Sequence, residues 1–189
     1  MPGAESCDNG VPARTWQRPG WEISTDRQRL DLDAAHRLIA SSYWAAGIPR
    51  AVLACALRHS LCFGLYRREP PAAGAAGAPL PRLCGMARVI SDYATYAYVA
   101  DVFIEPEWRR RGLGKWLMEC IRAHPHLQEL RRWGLVTRDM QALYRHSGFQ
   151  PLGHPERHME IYRPGLYRAV ADFESLWRRP RQAGQEETR

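Results

Sequence analysis

The sequence predicts one mixed α/β sheet domain. Two observations carry that expectation: short apolar runs of strand length alternate with segments of helical period, and the order read along the chain is β-α-α-β-β-β-α-β-α-β-β. A third is size, since 189 residues suit one core of ordinary depth.

The elements follow in order. Residues 1–20 are rich in Gly, Pro and polar residues without hydrophobic period, and read as a flexible leader. Trp21–Thr25 is a short first strand, after which Asp31 or Asp33 can cap a helix carrying Leu32, Ala35, His36, Leu38 and Ile39 toward Trp44. Pro49 suits the first turn of a second helix, with Val52, Leu53, Ala56 and Leu57 on one face. Leu61–Tyr66 and Leu83–Ile90 read as strands on either side of a Pro/Ala/Gly-rich stretch at 68–82, a flexible insertion within the folded region 21–165. Tyr96–Ile104 is apolar on both faces and so belongs at the centre of the sheet. Leu113, Trp116, Leu117, Cys120 and Ile121 recur at i, i+3, i+4, i+7 and i+8, which predicts a helix over Gly114–His124. A short strand at Trp133–Thr137, a helix at Met140–His146 stopped by Gly148, and strands near Phe149–Leu152 and Arg157–Tyr162 close the domain. Residues 166–189 read as a C-terminal helix, Leu166–Trp177, and a disordered tail.

Composition narrows the function classes. The chain has 27 Lys+Arg against 20 Asp+Glu, a net charge of +7, and Lys115 is its only lysine. Arginine spread along the whole chain without a reading motif argues against nucleic acid as the partner. The five cysteines (Cys7, Cys55, Cys62, Cys84, Cys120) contain no C-x-x-C pair. His59, His124 and His126 have no metal-ligand spacing, so neither a disulfide framework nor a metal site is expected. No apolar run reaches the roughly 18 residues of a membrane span, and the first residues lack a secretory pattern. The expectation is a reduced, cytoplasmic protein without membrane partners.

The chemistry concentrates in Val102–Trp116, VFIEPEWRRRGLGKW, a buried strand followed by an Arg/Gly loop that opens an amphipathic helix. Backbone N–H groups at a helix start lack intrahelical acceptors and lie at the positive end of its dipole, so such a loop can cradle phosphate. Gly112 and Gly114 remove side chains where an anion must approach. A Walker A loop would need Gly where Arg109 stands and Ser or Thr where Trp116 stands; a dinucleotide fingerprint would need a small residue in place of Leu117.

What remains is R-x-x-G-x-G at Arg109-Arg110-Arg111-Gly112-Leu113-Gly114. It follows a strand ending Asp101-Val102-Phe103-Ile104 and precedes a second motif, Leu143-Tyr144-Arg145-His146-Ser147-Gly148-Phe149. Together these resemble the GNAT superfamily of N-acetyltransferases, with its coenzyme A loop and its L-Y-x-x-x-G-F segment, over roughly Trp21 to Tyr162. The resemblance implies a mostly antiparallel central sheet with a splayed fourth/fifth strand pair, flanked by helices on both faces. It also implies acetyl-CoA as cosubstrate and direct acetyl transfer to a primary amine in a ternary complex. Arg109 to Lys115 would then lie against the pyrophosphate, mostly through the backbone of Arg111, Gly112, Gly114 and Lys115, with Leu113 inside the same turn. Val102 and Ile104, flanking Phe103, would meet the pantetheine arm through their backbones.

Tyr144 matches the family tyrosine that protonates the departing thiolate, a step a neutral phenol can perform. Where the family often has Asn before this helix, the sequence offers Thr137 and Asp139 for coenzyme contact, and Asp139 could instead cap the helix. Asp101, a carboxylate in an otherwise apolar strand, is the leading candidate to meet the amine and take its proton; the alternative is a buried Asp satisfied by backbone N–H or an arginine. Tyr43, Trp44, Asp92 and Tyr93 would border the acceptor groove, where rings beside carboxylates suit an ammonium; aromatics at such positions are also commonly core residues, and Asp92 stands where a turn carboxylate is ordinary. The acceptor is a small-molecule amine or a protein amine. An exposed final strand or the C-terminal helix could pair two copies as a homodimer. The competing reading is a non-catalytic acyl-CoA-binding regulatory module.

Overall fold

A computed structural model describes residues 11–68 and 81–169 of the chain. Six strands form one sheet in the order β1-β2-β3-β4-β5-β6, antiparallel throughout except for the parallel pair β5 and β6. The strands are β1 (Thr15–Arg18), β2 (Trp21–Ser24), β3 (Leu61–Arg67), β4 (Arg82–Ser91), β5 (Tyr96–Ile104) and β6 (Arg132–Gly134). The helices are α1 (Leu32–Ala40), α2 (Arg50–Arg58), α3 (Leu113–Arg122), α4 (Gln141–His146) and α5 (Leu166–Ala169).

Helices cover both faces. On one, α1 and α2 bury Leu38, Ile39, Leu53 and Leu57 with Met86 and Phe103; on the other, α3 buries Leu113, Leu117 and Ile121 with Ile23, Phe63 and Val89. Local chemistry sets the helix starts. Asp31 Oδ1 accepts from the N–H of Asp33 and Ala34 at 2.8 and 3.1 Å, so the cap of α1 is Asp31 and not Asp33. Pro49 precedes α2, and Gly148, at φ +89°, ends the α4 turn.

Three differences from the sequence expectation have physical causes. Thr15–Arg18, inside the expected leader, is a strand, because Pro19-Gly20 makes a two-residue turn with Gly20 at φ +76° and β2 supplies the ladder. Four residues carry too little pattern to announce a strand alone. The strand expected at Trp133–Thr137 is Arg132–Gly134. The closing strands expected at Phe149–Leu152 and Arg157–Tyr162 are not formed: Pro155–Arg157 is a 3-10 turn, and every residue from 150 to 166 is exposed, without a ladder partner. Most of the 68–82 insertion and the expected Leu166–Trp177 helix beyond Ala169 lie outside the described residues.

Two irregularities of β5 position the site. Arg88 pairs with Ala100 and Met86 with Phe103, so Asp101 and Val102 together oppose Ala87 in a bulge, with Asp101 at φ +53°. On the other edge, β6 pairs only with Tyr96, Ala97 and Tyr98, and the remainder of β5 to Ile104 has no strand on that side. The sheet therefore splays open beside Val99–Ile104, at the end where α3 begins.

Candidate active site

The loop from β5 to α3 is a 3-10 turn, Pro106–Trp108, then Arg109–Gly112. Arg110 at φ +60° and Gly112 at φ +74° bend the backbone into the helix, and no side chain caps α3. The first helical bond runs from Trp116 N–H to the Gly112 carbonyl at 3.0 Å, which leaves the amides before it without an intrahelical acceptor, the arrangement that can receive an anion. A Cβ on Gly112 would meet nothing within 4 Å, so its surroundings are open, while a Cβ on Gly114 would stand 3.7 Å from Leu143 Cδ2 of α4. These residues fit a pyrophosphate group of a coenzyme.

The arginine side chains fold back on the loop. Arg109 Nε donates to the Ile104 carbonyl at 2.8 Å with its guanidinium 5.3 Å from the Phe103 ring, and Arg111 lies over Trp108 at 5.1 Å. One lone pair of the Ile104 carbonyl is thus already used within the chain. Lys115 is exposed at the mouth.

Asp101 is the centre of a polar cluster under the splay. Arg88 Nε donates to its Oδ2 at 2.6 Å and Trp44 Nε1 to its Oδ1 at 3.1 Å, and Arg88 also reaches Ser60 Oγ at 3.1 Å. The Asp101 and Arg88 side chains are only 9% and 16% exposed. Trp44 stands edge-on to Tyr43 at 4.9 Å and tilted to Phe103 at 6.3 Å. The Arg138 guanidinium covers the Tyr43 ring at 3.7 Å, and the Arg138 N–H donates to the Tyr43 hydroxyl at 3.4 Å. Tyr43 and Trp44 thus border Asp101 on one side and the segment before α4 on the other.

Tyr144 is half-buried on α4, edge-on to Phe149 at 6.1 Å. Burial pushes its phenol up to about 12, with Tyr43, Asp139 and Tyr98 adding to the shift, so the hydroxyl keeps its proton at neutral pH. Thr137 Oγ1 accepts from Met140 N–H at 3.1 Å in the turn ahead of α4, whose start has no side-chain cap; Asp139, an expected alternative cap, faces Arg138 at 3.5 Å.

Asp92 and Tyr93 are placed differently. The Asp92 carboxylate accepts from the N–H of Ala94, Thr95 and Tyr96 at 2.8–3.0 Å and from Thr95 Oγ1 at 2.5 Å, which holds it well below the usual carboxylate range. Its bonds all go to its own turn, while Tyr93, at φ +59°, packs on the main core. Sequence reasoning had not singled out Arg88 or Arg138. The signal for Arg88 was present as a lone charge within the apolar strand LCGMARVI; nothing local marked Arg138.

Among the described residues no group of three or more His, Cys, Asp or Glu could hold a metal ion, and no helix is long and apolar enough to cross a membrane.

Comparison with known proteins agrees with this arrangement. The family model described as an acetyltransferase (GNAT) domain matches residues 76–151. A Gibberella zeae protein that carries a provisional acetyltransferase name is 34% identical over 148 residues, covering 72% of this chain and 82% of that protein. A crystal structure from Xanthomonas campestris pv. campestris, assigned to the GNAT family, is 45% identical, with a TM-score of 0.69 over 80% of this chain and 99% of that one. Rv2747 from Mycobacterium tuberculosis, solved in complex with CoA and NLQ, shares the fold at 14% identity, with a TM-score of 0.50 over 79% of this chain and 82% of that one. The motifs, the splayed sheet and these likenesses agree, and the chain belongs to the GNAT family of acetyltransferases.

Proposed function

We propose that this protein is an N-acetyltransferase that moves an acetyl group directly from acetyl-CoA to a primary amine within a ternary complex. The observation that carries the reading is the uncapped start of α3 beside the open edge of β5 beyond Tyr98; the helix that bears the neutral Tyr144 phenol packs against the start of α3 through Leu143.

The thioester of acetyl-CoA supplies the acetyl group, and attack by the amine releases a thiolate. The backbone of Arg111, Gly112, Leu113, Gly114 and Lys115 holds the pyrophosphate, with Arg109 and Arg110 adding positive charge at the mouth. Val102 and Ile104 present backbone groups along the splay for the pantetheine arm, beside Phe103. Thr137 and Asp139, in the turn before α4, would offer side-chain contacts to the coenzyme. Tyr144 donates a proton or a hydrogen bond to the leaving sulfur, a role that requires the phenol to remain protonated.

The acceptor enters past Tyr43 and Trp44. Each oxygen of Asp101 accepts one hydrogen bond from the chain and keeps a free lone pair, so it can receive an N–H of the amine, directly or through water. A cleft of about 630 Å³ opens beside Tyr43, Trp44 and Ala46, walled on its far side by Ile161–Tyr167. Asp92, its carboxylate bonded within its own turn, and Tyr93 beside it shape the rim of the sheet.

Calorimetry with acetyl-CoA and CoA, followed by thiol release across an amine panel that includes small amines and protein amines, tests the reading. Binding with thiol release on one amine class supports the enzyme. Binding without release on any amine supports the acyl-CoA-binding regulatory module, and absence of binding removes both.

A further inference from the structure

The cleft beside Tyr43 and Trp44 is built from rings and bounded by arginine. Tyr43, Trp44, Tyr162 and Leu166 all line it, and all four are exposed despite their size, so the cleft offers a surface that an apolar body would cover. Its volume of about 630 Å³ is that of a small-molecule site. None of the described residues that line it is acidic, and Arg163 stands in its far wall, exposed and, among the described residues, without an ion-pair partner.

Arg138 supplies a second cation. Its guanidinium lies 3.7 Å from the centre of the Tyr43 ring, and the carboxylate it meets, Asp139, is 3.5 Å away with both side chains more than half exposed, a pairing of little strength. One face of Tyr43 that could hold a substrate's ammonium is therefore taken by a cation of the chain, which repels another. Asp101 is itself matched by Arg88 at 2.6 Å, so it can receive an N–H without adding net negative charge that would draw a polycation. Around the site the guanidiniums of Arg88, Arg138 and Arg163 stand against the carboxylates of Asp101 and Asp139. We infer that the acceptor is a small amine carrying a carboxylate on an apolar body, with its amine at Asp101, its body against Tyr43 and Trp44, and its carboxylate toward Arg163, Arg138 adding charge across Tyr43. A guanidinium meets a carboxylate through parallel N–H···O bonds that a neutral or cationic substituent cannot return. This assignment names the substrate class of the site and rests on the acetyl-transfer reading.

Two matched pairs test this by thiol release with acetyl-CoA and by calorimetry on the CoA-loaded protein: 6-aminohexanoate against hexylamine, and L-phenylalanine against 2-phenylethylamine, with spermidine as a polycation. In at least one pair the carboxylate is expected to raise kcat/KM and affinity by about tenfold, and spermidine to be the poorest acceptor. Arg163→Gln is expected to cut that preference by about fivefold or more, and Arg138→Gln to cut it less; the unequal basicity of the two amines cancels because each variant meets the same pair. Arg58→Gln, an exposed arginine of α2 outside the cleft, removes the same charge and is expected to leave the preference intact. Thiol release without a carboxylate preference overturns the inference and leaves acetyl transfer standing, as does a preference that Arg163→Gln does not reduce, or spermidine as the best acceptor. A carboxylate-dependent binding preference without thiol release supports the cleft assignment and removes acetyl transfer. Neither binding nor release with any of these compounds overturns the inference and the transfer reading together.

Discussion

Arg88 Nε donates a 2.6 Å hydrogen bond to Asp101 Oδ2 across the β4–β5 bulge, and the indole of Trp44 takes the other carboxylate oxygen. A buried carboxylate without a cation is costly, so this pairing is what allows an acid at the centre of the sheet. Asp101→Asn keeps the shape and one acceptor but leaves Arg88 without its counter-charge. The expected result is a stability loss of about 2–4 kcal/mol in denaturant melts, together with a fall in kcat/KM for the amine. Unchanged coenzyme affinity in the same variant would locate the activity effect on the acceptor side; a wild-type kcat/KM would remove Asp101 from that role.

Trp44→Phe retains an aromatic ring against Tyr43 and removes only the Nε1 donor to Asp101. We expect KM for the amine to rise about three- to tenfold, the equivalent of one hydrogen bond, while calorimetric binding of coenzyme stays unchanged.

Gly112 combines a left-handed backbone with open space around a would-be Cβ. Gly112→Ala therefore meets no neighbour and costs only its backbone strain, about 1–2 kcal/mol. The added methyl stands where the phosphate must come, so coenzyme Kd is expected to rise about tenfold or more. Gly114→Ala puts its Cβ in ordinary contact with Leu143 without a left-handed backbone to strain, so its melt is expected to stay close to that of the unaltered chain.

Tyr144→Phe is expected to lower kcat by about 10²-fold, with little change in coenzyme binding, because the hydroxyl matters only as the thiolate leaves. Since the phenol titrates near 12 in the folded chain, the ratio of wild-type to variant kcat should stay level from about pH 7 to about pH 10. A ratio collapsing below about pH 9 would mean that the phenol ionises there and the donor assignment fails.

His124 is fully buried between Trp16 and Phe63, and among the described residues neither ring nitrogen has a hydrogen-bond partner. Desolvation lowers it to about 4, with His126 and Arg14 adding to the shift. A group whose folded value is depressed stays neutral in the native state while the unfolded chain takes up protons, so its stability contribution is complete above the unfolded value and is lost as pH falls. Denaturant midpoints are expected to drop between about pH 6.5 and about pH 4, and His124→Leu to flatten that drop. An equally steep dependence in the variant would assign the loss to other groups.

Much of this was legible because it is local. The caps at Asp31 and Pro49, the apolar stripe of α3 and the two-faced apolar run of Tyr96–Ile104 each depend on a few neighbouring residues, and each formed within a residue or two of its expected place. The partners of Asp101 come from chain segments far apart, which no short window of sequence contains; β1 and the Asp92 turn are local, but four residues carry too little pattern to announce a strand, and the turn's hydrogen bonds depend on its backbone geometry.

The sequence by itself determined the helix-strand order from Trp21 to His146, the glycine-bearing loop ahead of an amphipathic helix, and the tyrosine set on the helix after it, because periodicity and backbone freedom are properties of residue type. Tertiary structure alone decided that the β4–β5 bulge turns Asp101 toward Arg88 and Trp44, and that β6 stops at Gly134 and leaves the sheet open. It also decided that Met159 and Ile161, strand-like by composition, stand in water. A strand needs an edge to pair with, and only the assembled sheet determines which edges remain.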